Sequence, residues 1–204
     1  MDERAVTHGR RAADGWGAPL RFTVQRPARP PLLFRFQLPE GVRLIDIRRL
    51  ATAAGAGAPS SVGRAAKGLS RAAEAGGVIV IGAICTPPAP DGPVEVLATV
   101  TVALSDLPEP PRIEDHLLPE SERADQEVTH LSERVTRIRR LSVESLSPAD
   151  EPVPMLVIQY LVHSEYGEMS MAFSTTHHEM FGPSARALYQ RIFETGFIGE
   201  VSAG

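Results

Sequence analysis

The chain has little cysteine, no excess of positive charge and no long hydrophobic run. Its 204 residues include one cysteine, Cys85, which excludes an intramolecular disulfide and a zinc site built from several thiolates. The net charge of −4 gives no overall attraction to nucleic acid. The longest apolar run, GGVIVIGAIC at residues 76–85, is far shorter than the roughly 18 residues of a membrane span.

The N-terminal arginines are not followed by an apolar segment, so the sequence predicts no secretory signal and a cytoplasmic protein. A hydrophobic fraction of 43% is sufficient for one ordinary folded domain. Residues 1–31 hold four prolines and six arginines against three acids and are predicted to be a flexible tail. The folded domain is predicted to cover residues 32–204, so deletion of residues 1–28 is expected to change stability little.

Several segments alternate apolar and polar residues, which is typical of strands with one buried face. The clearest are LLFRFQL at 32–38, MLVIQYLVHS at 155–164 and EMSMAFS at 168–174. Gly167 is expected to allow the turn between the last two. VIVIGAIC at 78–85 is apolar throughout and predicts a central strand, which VEVLATVTVAL at 94–104 extends into a hairpin.

Two longer helices and a short one around Ile113–Leu118 are predicted, and one segment is ambiguous. An alanine-rich stretch at 60–75 has serine at its start and two glycines after it, and a second helix is expected from Pro183 to about Gly196. Residues 128–146 fit a helical period as well as a hairpin, and their β-branched content favours strands. Together these elements predict an α+β fold in which helices flank a twisted, mainly antiparallel sheet.

The histidines near the C-terminus are the first candidate for a metal site or a catalytic site. His177 and His178 are adjacent, so at most one of them can join a given site, and His163 is expected to pair near Ser170, far along the hairpin. Thr176 and Glu179 have the spacing of a capping box at a helix start. The structural interpretation is therefore preferred, and neither a metal nor another cofactor is predicted.

The candidate partner-binding residues are one tryptophan and one group of arginines. Trp16 either docks on its own domain or anchors an interface, because an exposed tryptophan is a strong anchor. The arginines form the one basic group in the sequence and should divide between two sheet faces, where acids from 105–127 can neutralise them. The alternative is a site for an anion or an acidic partner. These arginines are Arg134, Arg137, Arg139 and Arg140.

Three stretches also resemble a set of uncharacterised proteins of GC-rich bacteria related to the PsbP-like α/β/α sandwich. They are LLFRFQLPEGV, VTRIRRL and the segment from PMLVIQY to ETGFI, about half of the chain. The resemblance implies a twisted antiparallel sheet between helices, with VTRIRRL as a strand. It implies no catalytic residues, and it points towards binding or assembly subunits by analogy alone.

Three functions follow as hypotheses. The first is a non-enzymatic accessory protein that contacts another protein through its sheet or through Trp16. The second is a small-ligand binder with a pocket lined by Met155, Met169 and Met171. The third is a hydrolase or metal enzyme, which requires convergence of at least three side chains from one set. That set is His130, His163, Glu165, His177, His178 and Glu179.

Overall fold

The computed structural model describes residues 15–26, 29–46, 78–85, 96–105, 125–144, 153–176 and 178–200, with the single positions Ile113 and Leu117. Over these residues the chain forms ten strands, a short 3-10 helix at His178–Phe181 and one α-helix, α1 (Pro183–Glu194). The first five strands are β1 (Leu20–Arg26), β2 (Arg29–Phe36), β3 (Arg43–Asp46), β4 (Val78–Cys85) and β5 (Val96–Ser105). The other five are β6 (Gln126–Ser132), β7 (Val135–Glu144), β8 (Val153–Ser164), β9 (Gly167–Thr175) and β10 (Phe197–Glu200).

The larger sheet has seven strands in the order β3-β4-β5-β9-β8-β7-β6, and every neighbouring pair is antiparallel. β3 and β6 are therefore its two edges. β8 and β9 form a hairpin in which Ser164 pairs with Gly167, and Gly167 has a φ of 118° that only glycine adopts easily. The turn residues are Glu165 and Tyr166, so His163 pairs with Glu168 and the expected pairing near Ser170 is wrong by two residues.

The smaller sheet has three antiparallel strands in the order β1-β2-β10. Leu32, Phe34 and Phe36 of β2 are fully buried, and they belong to the same apolar cluster as Ile158 and Phe173 of the larger sheet. One core therefore lies between the two sheets and α1. Because alternate side chains of a strand point to opposite faces, the period-two pattern of LLFRFQL places its apolar half in this core.

The prediction of an α+β fold with helices flanking the sheet, and with it the PsbP-like α/β/α sandwich, is wrong. The described residues form a β-rich fold of two antiparallel sheets with a single α-helix. Sequence interpretation missed β10 because its four residues, FIGE, are too few for a recognisable period. The helix predicted at 60–75 lies outside the described residues.

The prediction of a flexible tail up to residue 31 also differs from the structure. β1 occupies Leu20–Arg26, and Phe22 stacks on Phe34 and Phe36 with ring centroids 6.3 and 5.8 Å apart. The Arg26 guanidinium donates to the Pro30 carbonyl oxygen at 2.8 Å and lies 3.4 Å from Glu200 of β10. Residues 20–26 and 29–31 are thus part of the folded unit, while residues 1–14, 27 and 28 lie outside the described part.

Several predicted elements are confirmed. β4 occupies residues 78–85, is buried from Val80 to Cys85 and pairs with β5. The described part of the ambiguous segment at 128–146, residues 128–144, lies in the β6–β7 hairpin, as its β-branched content indicated. α1 begins at Pro183, and its N-cap, Gly182, has no capping side chain. The side chain of Glu179, half of the predicted capping box, lies outside the described residues.

Candidate partner-binding edge

β6 is an exposed strand at one edge of the seven-stranded sheet. Its inner side pairs with β7, and no described strand pairs with its outer side. Val128 and Leu131 are each 39% exposed, among the few large apolar side chains of the described residues that are open to solvent. Neither proline nor lysine occurs in Gln126–Ser132, although these residues commonly block further pairing at sheet edges. The register of β6 on β7 shifts between His130 and Ser132, so the regular part of this edge, among the described residues, ends at His130.

Three of the four arginines of the β6–β7 hairpin lie in β7 and are divided between the two sheet faces, as the strand interpretation predicted. Arg137 and Arg139 pair with Tyr160 and Ile158 of β8, which belong to the core cluster, so both lie on the face that carries α1. Arg140 lies on the opposite face, since its neighbour in β8 is Val157. Arg134 is exposed at the turn between β6 and β7, where its carbonyl oxygen accepts a hydrogen bond from the His163 backbone at 2.9 Å.

Arg137 ties the edge strand to the helix. Its guanidinium donates to Thr129 Oγ1 of β6 at 3.2 Å and to Gln190 Oε1 of α1 at 3.5 Å. The carboxylate of Glu127 lies 3.7 Å from the same guanidinium, so an acid from the 105–127 stretch does neutralise one arginine of the group. Gln190 in turn donates to Glu194 at 2.9 Å.

Arg139 has fewer partners than Arg137. It lies directly across from Glu127 in the β6–β7 register, but the described contacts of the Glu127 carboxylate are to Thr129 Oγ1, which donates to it at 3.4 Å, and to Arg137 at 3.7 Å. Its Nε is a buried donor with no hydrogen-bond acceptor among the described residues. A buried donor without an acceptor costs about 1–3 kcal/mol, so this guanidinium is suited to take an additional acceptor.

Aromatic rings beneath the arginines fix the position of α1 on the sheet. Phe193 stacks on Tyr160 at 4.3 Å between centroids, and Tyr189 stacks on Phe173 at 4.8 Å. Burial raises the pKa of Tyr160 to about 12, against an opposing effect of the positive charge of Arg137. Burial likewise raises the pKa of Tyr189 to about 12. Both hydroxyls therefore stay protonated at neutral pH.

Trp16 is half-buried and packs against the core cluster of its own chain. It forms an isolated β-bridge with Pro39, and the Arg191 guanidinium lies 5.3 Å from the centre of its ring. The backbone of Gly17 also donates to the Leu38 carbonyl oxygen at 2.9 Å. Of the two alternatives for Trp16, the structure shows the one in which it docks on its own domain.

The candidate metal ligands fall at separate places. His130 contacts Thr136 at 3.1 Å on β6–β7, while His163 lies 3.6 Å from Glu168 on β8–β9. His177 and the side chains of His178 and Glu179 lie outside the described residues. Within the described part of the chain, no three histidine, cysteine or acidic side chains are grouped as metal ligands.

The predicted methionine pocket is divided by the sheet. Met169 and Met171 are buried in the core cluster, and Val162 and Tyr160 are their neighbours in β8. Met155 immediately precedes Leu156 of that cluster in the same strand, so it points to the other face. The three side chains therefore do not line one pocket.

Sequence interpretation missed the exposed edge itself. Val128 and Leu131 were read only as part of an ambiguous helical or β pattern. The signal that could have identified them is the polar surrounding of two isolated apolar residues in QEVTHLS, which suits an edge strand better than an interior one. Whether a strand lies at an edge depends on long-range pairing, and a local pattern does not record it.

Comparison with known proteins adds little to this geometry. The chain matches no protein-family profile and no curated protein. Among solved structures it is similar to LpqN, a protein involved in cell envelope biogenesis of Mycobacterium tuberculosis. The two share 10% identity with a TM-score of 0.38, over 89% of this chain and 92% of LpqN. This likeness identifies neither a family nor an activity, and the resemblance to the PsbP-like superfamily has no support from it.

Of the segments that the structure describes, none is a helix with the length and apolarity that crossing a bilayer requires. The cytoplasmic location stays a prediction from the sequence.

Proposed function

We propose that this chain is a non-enzymatic binding or accessory protein, and that an extended segment of a partner protein pairs with β6 as an eighth strand. The observation that carries the proposal is the exposed edge of the larger sheet at Gln126–Ser132. Strand addition of this kind is a common mode of peptide recognition, in which main-chain hydrogen bonds supply affinity and alternate side chains supply specificity.

The two edges of the sheet differ in a way that favours β6. In the part of the chain that the structure describes, β3 at the opposite edge has four residues, whereas β6 has seven. A longer strand offers more unpaired backbone N–H and C=O groups to an incoming segment. Val128 and Leu131, both 39% exposed, add apolar area that the partner would cover, and burial of such area is favourable.

The position of β6 is also fixed before any partner binds. Arg137 joins Thr129 of β6 to Gln190 of α1, and α1 is in turn stacked on the sheet through Tyr189 and Phe193. An edge held in one conformation loses less conformational entropy on binding, which improves affinity.

The test compares two valine-to-lysine substitutions at sites of equal exposure. Val128 on β6 is 39% exposed and Val96, at the start of β5, is 38% exposed. Lysine on an edge strand disfavours further pairing, and a substitution at an exposed position changes stability by about 0.5 kcal/mol or less. Val128→Lys should therefore remove the partner while leaving the fold intact, and Val96→Lys should leave both unchanged.

The parent chain and the two variants each carry an affinity tag. Each is used to recover binding proteins from a lysate of the organism in which the parent chain occurs. Thermal melting first establishes that all three are folded. The proposal predicts a protein that is retained by the parent and by Val96→Lys but lost with Val128→Lys. Recovery of the same partner with all three chains would place the interface away from β6 and contradict the proposal.

A further inference from the structure

We propose that the segment that pairs with β6 is acidic, and that one of its carboxylates binds Arg137, so that Glu127 can turn to the neighbouring Arg139. This inference rests on the proposed function, since it names the chemistry of the partner at the same edge. It adds a specific ligand group, a carboxylate, and a specific position for it on the sheet.

The charge of the hairpin differs from that of the whole chain. Residues 126–141 contain four arginines against two glutamates, Glu127 and Glu133, although the chain as a whole carries a net charge of −4. An acidic segment is therefore attracted to this part of the surface. The net negative charge of the whole protein disfavours its binding elsewhere. Complementary charge of this kind speeds association and selects among partners.

Among the described residues, one carboxylate contacts the arginine pair Arg137 and Arg139, although the two guanidinium groups could bind two. Arg137 and Arg139 are two residues apart on one strand and so lie on the same face. Glu127 is 3.7 Å from Arg137, and the Nε of Arg139 has no acceptor among the described residues. A guanidinium offers five donors and no acceptor, and a carboxylate is the group that fits its fork with two parallel hydrogen bonds.

The sheet register indicates where the second carboxylate should enter. A strand paired with β6 would lie about 4.8 Å beyond it, with side chains beside Glu127 and Thr129 on the face that carries the arginines. An acid beside Glu127 would meet a like charge, which is destabilising for directly opposed pairs. An acid beside Thr129 would instead meet the Arg137 guanidinium, which already reaches Thr129 Oγ1 at 3.2 Å.

Binding at that position would use both arginines. Once the partner's carboxylate occupies Arg137, the Glu127 carboxylate can turn to Arg139, its direct neighbour across the β6–β7 pair. Each guanidinium would then have a carboxylate. Loss of Arg139 should consequently lower the affinity for an acidic segment and leave the affinity for a neutral one unchanged. The reason is that Glu127 would remain on Arg137 and repel the incoming acid.

The experiment uses the full chain and three fluorescein-labelled eight-residue peptides in which valine or threonine alternates with glutamate, glutamine or lysine. Fluorescence anisotropy at low salt measures their affinities at a temperature where the parent and all variants are folded by circular dichroism. The glutamate peptide should bind about tenfold more tightly than the glutamine peptide, and the lysine peptide should bind least. Added salt should reduce this preference, since screening weakens exposed charge pairs.

Three variants separate the inference from the function on which it rests. Arg139→Gln should lower the affinity of the glutamate peptide to that of the glutamine peptide, while Arg140→Gln, on the opposite face, should leave it unchanged. Val128→Lys should abolish binding of both peptides. If glutamate and glutamine peptides bind equally and Val128→Lys abolishes both, strand addition survives and the acidic inference fails.

Other outcomes are equally decisive. If the glutamate peptide binds as well to Val128→Lys as to the parent, the carboxylate site is not on β6 and the proposed function fails with it. If no peptide binds, the acidic inference is overturned. If the chain instead forms a dimer that Val128→Lys dissociates, the occupant of the edge is a second copy of this chain and the acidic inference is overturned as well.

Discussion

Replacement of Phe173 by alanine should bring the protein close to unfolding. Phe173 is 1% exposed, stacks on Tyr189 of α1 at 4.8 Å and meets Tyr160 edge-on at 6.2 Å. Truncation of a buried phenylalanine costs about 3–5 kcal/mol, and the loss of two ring contacts places this site at the upper end of that range. A domain of this size is stable by about 5–15 kcal/mol, so the variant retains a small margin at best.

The matched control is Phe197→Ala on β10. Phe197 is 48% exposed and lies under the Arg35 guanidinium at 4.8 Å, so its truncation should cost about 1 kcal/mol or less. Urea denaturation followed by circular dichroism gives both free energies of unfolding. If Phe173→Ala is no less stable than Phe197→Ala, then α1 does not pack on the sheet through these rings and the description of the core is wrong.

The remaining predictions concern pH, the N-terminal strand and metals. Tyr160 and Tyr189 have folded-state pKa values raised to about 12 from the usual 10.0, so their contribution to stability is complete below pH 10 and is lost as pH rises through 12. The expected loss is about 1.4 kcal/mol at pH 11 for each tyrosine; urea titrations at pH 8 and 11 measure it, and an unchanged loss in Tyr160→Phe would contradict it. Deletion of residues 1–28 should lower the melting temperature markedly, because it removes β1 and the Phe22 ring that stacks in the core; a truncated chain that melts like the parent would show that β1 is dispensable. EDTA should leave the melting temperature unchanged, and one zinc per chain by elemental analysis would refute this.

The strands with long alternating patterns could be predicted from the sequence. β9 was recognisable because its large apolar residues alternate with small or polar ones after a glycine turn, and β8 because it is rich in apolar and β-branched residues and ends at the same turn. β4 was recognisable because it is buried on both faces, so its sequence is apolar throughout. In each case the local pattern and the tertiary environment agree.

β1 and the fold class could not be predicted in the same way. The segment LRFTVQR alternates Leu20, Phe22 and Val24 with polar residues, but prolines on both sides made it resemble a tail. Its strand state depends on pairing with β2 and on contacts with the core, which are tertiary effects. The prediction of an α/β/α sandwich was wrong because it was based on segments with alternating side-chain character. Such alternation predicts strands but does not show whether helices or a second sheet cover them.

The arginines of the candidate site could be named from the sequence, but the exposed edge with Val128 and Leu131 could not. The sequence predicted that the four arginines divide between two sheet faces, and the structure shows this division for Arg137 and Arg139 against Arg140, whereas Arg134 lies in the turn. It could not show that Glu127 neutralises Arg137 and leaves the Nε of Arg139 without a described acceptor, because that depends on the register between β6 and β7. Pairing register is a property of two strands together.

Hydrogen–deuterium exchange of the full chain, with and without the glutamate peptide, tests strand addition at β6 most directly. An edge strand has outward N–H groups without partners, which exchange rapidly until an incoming strand bonds them. The proposed function predicts new protection concentrated in Gln126–Ser132, with no change in β3 (Arg43–Asp46) at the other edge of the sheet. Protection confined to β3 or to α1, with β6 exchanging as rapidly as before, would contradict it.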